Sequence, residues 1–183
     1  MVRARRRRIV RGTLAGIAGG LAASWVMNMF ISGVGEKLTQ SLMSEEERIG
    51  QQRQKFEKEG SGQPKEDATM KAAEDVVHTV SGGQHLSHEE RKHAGPVVHY
   101  VFGGLVGGLY GALAECTTWT SLGFGTAFGA VLFAAADLAA VPALGYGPSV
   151  TEQPVKMQAT PLAAHLVYGA TTDLVRRAIR AAA

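Results

Sequence analysis

Four stretches of apolar residues alternate with polar segments along this chain of 183 residues. They cover residues 12–35, 95–114, 121–145 and 157–175. The first stretch carries no charged side chain, the second carries only His99, and the third carries only Asp137 as an ionisable group. About 20 apolar residues suffice for a helix to cross the ~30 Å hydrocarbon core of a bilayer. The first three stretches therefore predict membrane-spanning helices, and the shorter, more polar fourth stretch predicts another.

Arginines flank both ends of this apolar pattern. A run over residues 3–11 precedes the first stretch, and Arg176, Arg177 and Arg180 follow the last one. An arginine run can bind nucleic acid, but beside an apolar span it marks the cytoplasmic flank. We therefore expect both termini in the cytoplasm, with the lipid bilayer and no nucleic acid as partner. Two cytoplasmic termini need an even number of crossings, which favours four spans.

The fold class that these patterns predict is all-α: a four-helix transmembrane bundle with a helical extramembrane segment between spans one and two. We expect a basic cytoplasmic N-terminus (1–11), span one (12–35), a polar periplasmic segment (36–94) and a three-span region with a basic cytoplasmic C-terminus (95–183). The chain from Glu36 to His93 holds 12 acidic and 9 basic residues, which fits a solvated segment.

Short motifs predict the helix boundaries within this polar segment and in the chain that follows it. Capping boxes at Ser44 with Glu47 and at Ser87 with Glu90 predict two helix starts. The sequence GSGQP at residues 60–64 predicts a break between helices. Thr160 followed by a proline predicts the N-cap and first residue of the fourth span.

Glycine spacing predicts how the spans associate. Small residues four positions apart let two helix backbones approach closely, and this contact replaces the hydrophobic drive that is missing in lipid. The glycines concerned are Gly12 and Gly16 in span one, Gly103, Gly104, Gly107, Gly108 and Gly111 in span two, and Gly125 and Gly129 in span three. The double row on span two predicts neighbours on two sides and a central position. The same faces could join copies of the chain or a partner in a membrane complex.

Three ionisable residues inside the spans are the candidate functional residues: His99, Asp137 and His165. An ionisable group at mid-helix costs roughly 2.5–3.5 kcal/mol on insertion scales and is a functional candidate by default. Counting helical turns places all three at a similar depth near the outer face. They could form hydrogen bonds between helices, contribute to a proton or ion path, or ligate haem or a metal if the two histidines face each other.

A second polar group lies near the cytoplasmic ends of the spans. Glu115 ends span two, and Asp173 precedes Arg176 and Arg177 by three and four positions. This spacing favours ion pairs within one helix. We expect these four residues to be structural anchors.

Other chemistry-bearing motifs are weak. His88, Glu89 and His93 miss the H-E-x-x-H zinc spacing by one residue, so two imidazoles diverge by about 140° on a helix. The single cysteine, Cys116, allows no intramolecular disulfide. No nucleophile–base pair and no phosphate-binding loop is visible. We therefore predict no enzyme, no metal site and no required cofactor, with haem or a metal ion kept as an alternative.

Several polar and small residues between His99 and Arg180 keep the order of a known family. They are His99-Tyr100, Gly107, Tyr110, Ala114-Glu115, Pro142, Leu144-Gly145, Pro148, Ala164 through Tyr168, Asp173 and Arg176-Arg177. This pattern resembles the YagU-like family of small bacterial inner-membrane proteins, which is largely uncharacterised and has a proposed link to acid tolerance. The resemblance implies that His99, Glu115, His165 and Arg176 occupy family positions. Asp137 departs from the family pattern, in which a histidine lies nearby.

The leading hypothesis is a small, non-enzymatic, multi-pass protein of the bacterial inner membrane. Its buried histidine pair, His99 and His165, would respond to protons under acid stress. One alternative is a redox protein that binds haem or a metal through the same two histidines. Another is a structural subunit of a membrane complex.

Overall fold

The computed structural model describes residues 2–60, 66–148, 151 and 154–182. Within these residues every regular element is helical and no strand occurs, which confirms the all-α prediction. The α-helices are α1 (Val2–Phe30), α2 (Glu36–Leu42), α3 (Glu45–Gly60), α4 (Ala68–Ser81), α5 (His88–Ala114), α6 (Thr126–Phe133), α7 (Val141–Ala143) and α8 (Ala159–Ala182). Two π-helical segments, Ile31–Gly35 and Ala134–Ala140, join α1 to α2 and α6 to α7. The predicted break at 60–64 lies outside the described residues except for Gly60.

The first helix continues beyond Gly35, where the sequence pattern placed the end of span one. A single helical unit runs from Arg3 to Leu42. Residues 36–42 hold no glycine or proline, and their Glu, Lys, Leu and Gln side chains favour helix. The chain becomes extended at Met43, whose ψ is 138°. The α3 helix then starts at the predicted capping box, in which Ser44 N donates to Glu47 over 2.7 Å.

Four long helical units pack side by side in the order α5, α1, α8 and α6. Neighbours in this row are antiparallel, since Gly12 lies against Gly111 while Gly20 lies against Gly103. The N-terminus of α1 therefore shares one end of the bundle with the C-termini of α5 and α8. We call this the arginine-rich end, and the opposite end, which holds His99, the histidine end.

The inner helices of this row are α1 and α8, whereas α5 lies at its edge, so the prediction that span two is central is wrong. Both glycine rows of α5 face the same neighbour. One row meets the backbone of α1, and the other, at Gly104 and Gly108, meets the side chains of Leu21 and Ile17. On the opposite side of α1, Gly19 lies against the backbone of α8. A double glycine row thus accommodates one neighbour and its protruding side chains.

Backbone contact without side chains defines the α1–α5 interface. A Cβ atom added to Gly16 would overlap the carbonyl oxygen of Gly107, and one added to Gly107 would overlap the backbone of Gly16 and Gly20. Such proximity maximises dispersion contact and brings Cα–H groups against carbonyl oxygens. The glycine faces are therefore covered within one chain, and a partner would have to use another surface.

Close backbone contact at glycines also defines the α6–α8 interface. Gly125 and Gly129 lie against the backbone carbonyls of Gly169 and His165. The 3-10 segment Trp119–Gly125 leads into α6, and Gly125 adopts a left-handed φ of 85° that an L-residue side chain would oppose. Glycine at this position therefore permits both the turn and the close approach to α8.

Three helical units are long and apolar enough to cross a membrane: Arg3–Leu42, His88–Ala114 and Trp119–Ala143. Their outward faces expose large apolar side chains, among them Leu14, Trp25, Leu105, Leu109 and Val131. So many exposed apolar side chains on helices that lie side by side are typical of a surface that contacts lipid. The α8 helix is not one of the three, since His165, Thr172 and Asp173 interrupt its apolar pattern.

The polar segment folds onto the histidine end through α4. Asp67 caps this helix by accepting a 2.9 Å hydrogen bond from Met70 N. The buried Met70 side chain lies against Gly95 near the start of α5. The α5 helix itself begins at the predicted capping box of Ser87 and Glu90. The first turn of α4 is therefore fixed beside His99.

We predict that Gly107→Ala weakens the bundle whereas Gly33→Ala does not. The new methyl group at position 107 would force α1 and α5 apart, and overpacking of this kind costs about 1–3 kcal/mol. Gly33 is helical and has no atom within 4 Å of its added Cβ. Thermal unfolding in detergent should show a lower midpoint for Gly107→Ala only. Equal midpoints for the two variants would contradict the backbone contact.

Candidate functional site

A cavity of about 670 Å³ lies at the histidine end. Its walls come from α1, α4, α5, the π-helical segment Ala134–Ala140 and the first turn of α8. The polar residues among those that line it are Asn28, Asp67, Thr69, Lys92, His99, Asp137 and Thr160. A mostly apolar lining with a few converging polar groups is typical of small-molecule sites. The cavity is therefore the candidate functional site.

Asp137 and His165 approach each other beside this cavity. The Oδ2 atom of Asp137 lies 3.7 Å from Nδ1 of His165, whose side chain is only 9% exposed. The same Nδ1 lies 2.9 Å from the carbonyl oxygen of Pro161, and since a carbonyl only accepts, Nδ1 carries the hydrogen. The lone pair of the neutral ring is therefore on Nε2. A proton bound there would make His165 cationic beside the Asp137 carboxylate.

His99 faces the same cavity from α5. Its Nε2 atom is buried and has no hydrogen-bond partner among the described residues. An unsatisfied buried polar atom costs about 1–3 kcal/mol, so a proton, a water molecule or a polar ligand would relieve a penalty here. The structure therefore brings His99, Asp137 and His165 to one end of the bundle, where His99 and Asp137 line the cavity and His165 lies beside Asp137.

Two π-helical segments adjoin the site. Ile31 in the first segment and Asp137 in the second both line the cavity. A π-turn inserts one residue into a helix and rotates the residues that follow, which is why such segments occur at functional sites. In the second segment, this rotation sets the direction in which the Asp137 side chain projects from the helix.

Thr160 does not act as the N-cap that the sequence pattern predicted. The α8 helix already begins at Ala159, after a 3-10 turn over Val155–Gln158. The Thr160 hydroxyl instead pairs with the hydroxyl of Thr39 at 2.8 Å. This bond joins the extension of the first helix to the start of α8 beside the cavity.

At the arginine-rich end, Glu115 is the centre of an ion-pair cluster. Its carboxylate is 7% exposed and accepts hydrogen bonds from Arg180 at 2.9 and 3.4 Å. The guanidinium groups of Arg8 and Arg176 lie 3.5 and 3.7 Å away. Glu115 thus connects the start of α1, the end of α5 and the end of α8.

Asp173 forms the second half of this cluster. Its fully buried carboxylate accepts hydrogen bonds from Arg176 at 3.1 Å and Arg177 at 2.7 Å, the pairing that the three- and four-residue spacing predicted. The Arg176 guanidinium also lies over the ring of Tyr110, at 5.8 Å from its centroid. Tyr110 is fully buried and contacts the Phe128 ring of α6, so the cluster closes the bundle at this end.

Sequence reasoning missed the polar side chains between the two ends. Tyr168 donates a hydrogen bond to the carbonyl of Gly103, and Thr172 donates one to the carbonyl of Tyr168. Both hydroxyl groups lie on the buried side of α8 between His165 and Asp173. Tyr168 follows His165 by three residues, and Thr172 follows Tyr168 by four. This helical spacing is the sequence signal that could have identified them. A polar face of α8 therefore joins the cavity to the ion-pair cluster.

Ionic contacts in the polar segment hold α4 in place at the cavity. Glu74 of α4 pairs with His85 at 2.7 Å and accepts a hydrogen bond from Leu86 N. The hydrogen bond from His85, followed by that from Leu86, lowers the pKa of Glu74 below its ordinary value. Glu74 thus stays ionised in mild acid. Arg91 adds a 2.7 Å ion pair to Glu66.

Metal-binding geometry is absent from the described part of the chain: it contains no group of three His, Cys, Asp or Glu side chains that could hold an ion. Cys116 is an exposed free thiol. His88 instead lies 3.7 Å from Glu66.

Comparison with known proteins identifies one family match. Residues 72–174 match the model of a family described as a protein of unknown function (DUF1440). This range is more than half of the chain and contains His99, His165, Asp137, Glu115 and Asp173. No curated protein and no solved structure matches the chain.

We predict that Asp173→Asn strongly destabilises the protein. The change removes the nearer of the two carboxylates beside the buried Arg176 and leaves the longer contact to Glu115. Breaking one side of a buried ion pair costs about 3–5 kcal/mol. Asp75→Asn is the matched control, because Asp75 is exposed and accepts only a hydrogen bond from Tyr146. The free energy of unfolding in detergent should fall for Asp173→Asn alone. A change no larger than that of the control would show that the pair contributes little.

Proposed function

The chain belongs to this family of proteins of unknown function (DUF1440), and we propose that it is a four-span, proton-responsive protein of the bacterial inner membrane. The observation that carries the proposal is that His99 and Asp137 line one cavity between apolar helices, while His165 lies 3.7 Å from Asp137. Ionisable groups between membrane-spanning helices are expensive and are typical of sites that bind or relay protons.

The fourth span of this proposal is α8. This helix packs between α1 and α6 and is antiparallel to both, so it follows them through the bilayer. Its low hydropathy arises from polar side chains that are buried inside the bundle and partnered there. Polar residues that face protein and not lipid are compatible with a span. Four crossings would place both arginine-rich termini in the cytoplasm and residues 36–94 in the periplasm.

Fusion reporters test this topology. Reporters that work only in the cytoplasm, fused after Ala183, and only in the periplasm, inserted after Gly82 in the turn that follows α4, should both be active. Exchanging the two reporters should abolish both signals. A C-terminal reporter that is active only in the periplasm would contradict four spans while leaving the first three in place.

The proton-responsive step would be protonation of His165 at Nε2. The resulting imidazolium would form an ion pair with Asp137, which lies 3.7 Å away. Besides Asp137, the charged or titratable groups that line the cavity are Asp67, the N-cap of α4, and Lys92 and His99 on α5. On α1, the polar lining group is the neutral Asn28. A change of charge at His165 would thus act on both α4 and α5.

The proposed response reaches the periplasmic segment through α4. Asp67, the N-cap of this helix, lines the cavity, and the next residues of α4 line it as well. Attraction between a protonated histidine and Asp67 would compete with the capping hydrogen bond that Asp67 accepts from Met70 N. We infer that acidification changes the stability of the first turn of α4. The resemblance to the YagU-like family, with its proposed link to acid tolerance, agrees with such a role.

We predict a pH-dependent hydrogen-exchange response in α4 that requires His165 and Asp137. Between pH 7.5 and 5, a range in which histidine titrates, amide exchange in α4 of the wild type should change beyond its intrinsic pH dependence. His165→Gln and Asp137→Asn should remove at least most of this change. His93→Gln is the control, because His93 is exposed and does not line the cavity. A response that persists in both site variants would contradict the proposal.

A further inference from the structure

At the arginine-rich end, the described residues carry more arginines than carboxylates. Four arginines, Arg8, Arg176, Arg177 and Arg180, share two carboxylates, those of Glu115 and Asp173. We propose that this end binds the phosphate group of an anionic phospholipid, with Arg8 and Arg177 as the binding residues. The proposal concerns the end of the bundle opposite the cavity and does not depend on the response to protons.

The charges are arranged in two layers. The carboxylates of Asp173 and Glu115 are 0% and 7% exposed, whereas the side chains of Arg8 and Arg177 are 67% and 48% exposed. An approaching anion therefore meets guanidinium groups, with the carboxylates buried behind them. The buried carboxylates fix the positions of the arginines, while the surplus charge remains on the outside.

The exposed arginines keep free the nitrogens that bind phosphate. Arg177 donates to Asp173 through Nε, and Arg8 approaches Glu115 through Nε. The two Nη groups of each side chain are left outside these ion pairs. Guanidinium groups bind phosphate oxygens with paired N–H donors. Each arginine can therefore hold its carboxylate and a phosphate oxygen at the same time.

The flanking side chains favour a lipid over a soluble phosphate. Leu174 lies three residues before Arg177 and is 69% exposed, and the guanidinium of Arg177 lies 5.6 Å from the centre of the Phe124 ring. Phe124 and Trp119 are 72% and 76% exposed. Aromatic rings at this level are typical of the boundary between headgroups and acyl chains. An acyl chain could thus lie along Leu174 while its phosphate reaches Arg177.

The backbone around Phe124 forms a left-handed turn at this surface. Phe124 has a left-handed φ of 55° and lies between two left-handed glycines, Gly123 and Gly125. A bulky residue rarely adopts this conformation, and such strain is found at binding sites more often than elsewhere. The turn presents the ring beside α8, where it contacts Arg177. The contact limits the orientations of the guanidinium.

The test compares lipid binding in the full-length protein and in the double variant Arg8→Gln/Arg177→Gln. Native mass spectrometry would count phosphatidylglycerol and phosphatidylcholine of equal chain length retained from mixed micelles. The wild type should retain the anionic lipid preferentially, and the variant should lose this preference by about fivefold for each arginine removed. Arg48→Gln is the control, since Arg48 is 47% exposed and lies on α3. If the double variant does not fold, the two single variants replace it.

Each outcome decides for or against the site. A preference that falls in the double variant and persists in Arg48→Gln supports the proposal. Equal retention of the two lipids by the wild type would overturn it, as would an unchanged preference in the variant. Displacement of the lipid by inorganic phosphate at an equal concentration would show a general anion site without a role for the acyl chain. That result would also overturn the proposal.

Discussion

Direct backbone contact between α1 and its two neighbours is the constraint on which the rest of this structure depends. Lipid offers no hydrophobic drive for helices to associate, so the gain must come from dispersion and from weak Cα–H···O contacts at short range. Glycines at positions 16, 20 and 107 allow this proximity on the α5 side, and Gly19 allows it on the α8 side. With α1 held between them, α5 and α8 have a fixed register. That register places the histidines of α5 and α8 at the same end.

The two ends of the bundle use ionisable groups in opposite ways. At the arginine-rich end the carboxylates of Glu115 and Asp173 are paired with arginines, so their charges stabilise the contact of three helices. At the histidine end His99 has an unsatisfied nitrogen and the pair of Asp137 and His165 is looser. A fully paired cluster resists change, whereas an incompletely paired one can bind or release a proton at a small energetic cost. The polar face of α8 connects the two ends through the core.

Much of this organisation is predictable from the sequence, because it follows from local rules. Apolar length predicts the spans, the capping boxes at Ser44 and Ser87 predict helix starts, and turn counting puts the three ionisable residues at one depth. Helix neighbours are not predictable in this way. The double glycine row of α5 has the spacing of two interfaces, yet its second row accommodates the Leu21 and Ile17 side chains of the same helix. The π-helical segment at Asp137 also has no sequence signature, since it is a response to packing.

Helix packing brings Asp137 and His165, which lie on different helices, into contact beside a cavity. Solid-state NMR of the protein in lipid bilayers tests this most directly, through the dipolar coupling between ¹⁵N-labelled histidine and the ¹³C-labelled carboxyl carbon of aspartate. We expect a coupling that corresponds to the 3.7 Å distance between Nδ1 of His165 and Oδ2 of Asp137. This coupling should disappear in His165→Gln and in Asp137→Asn. A spectrum without that coupling in the wild type, or with one that survives both changes, would contradict it.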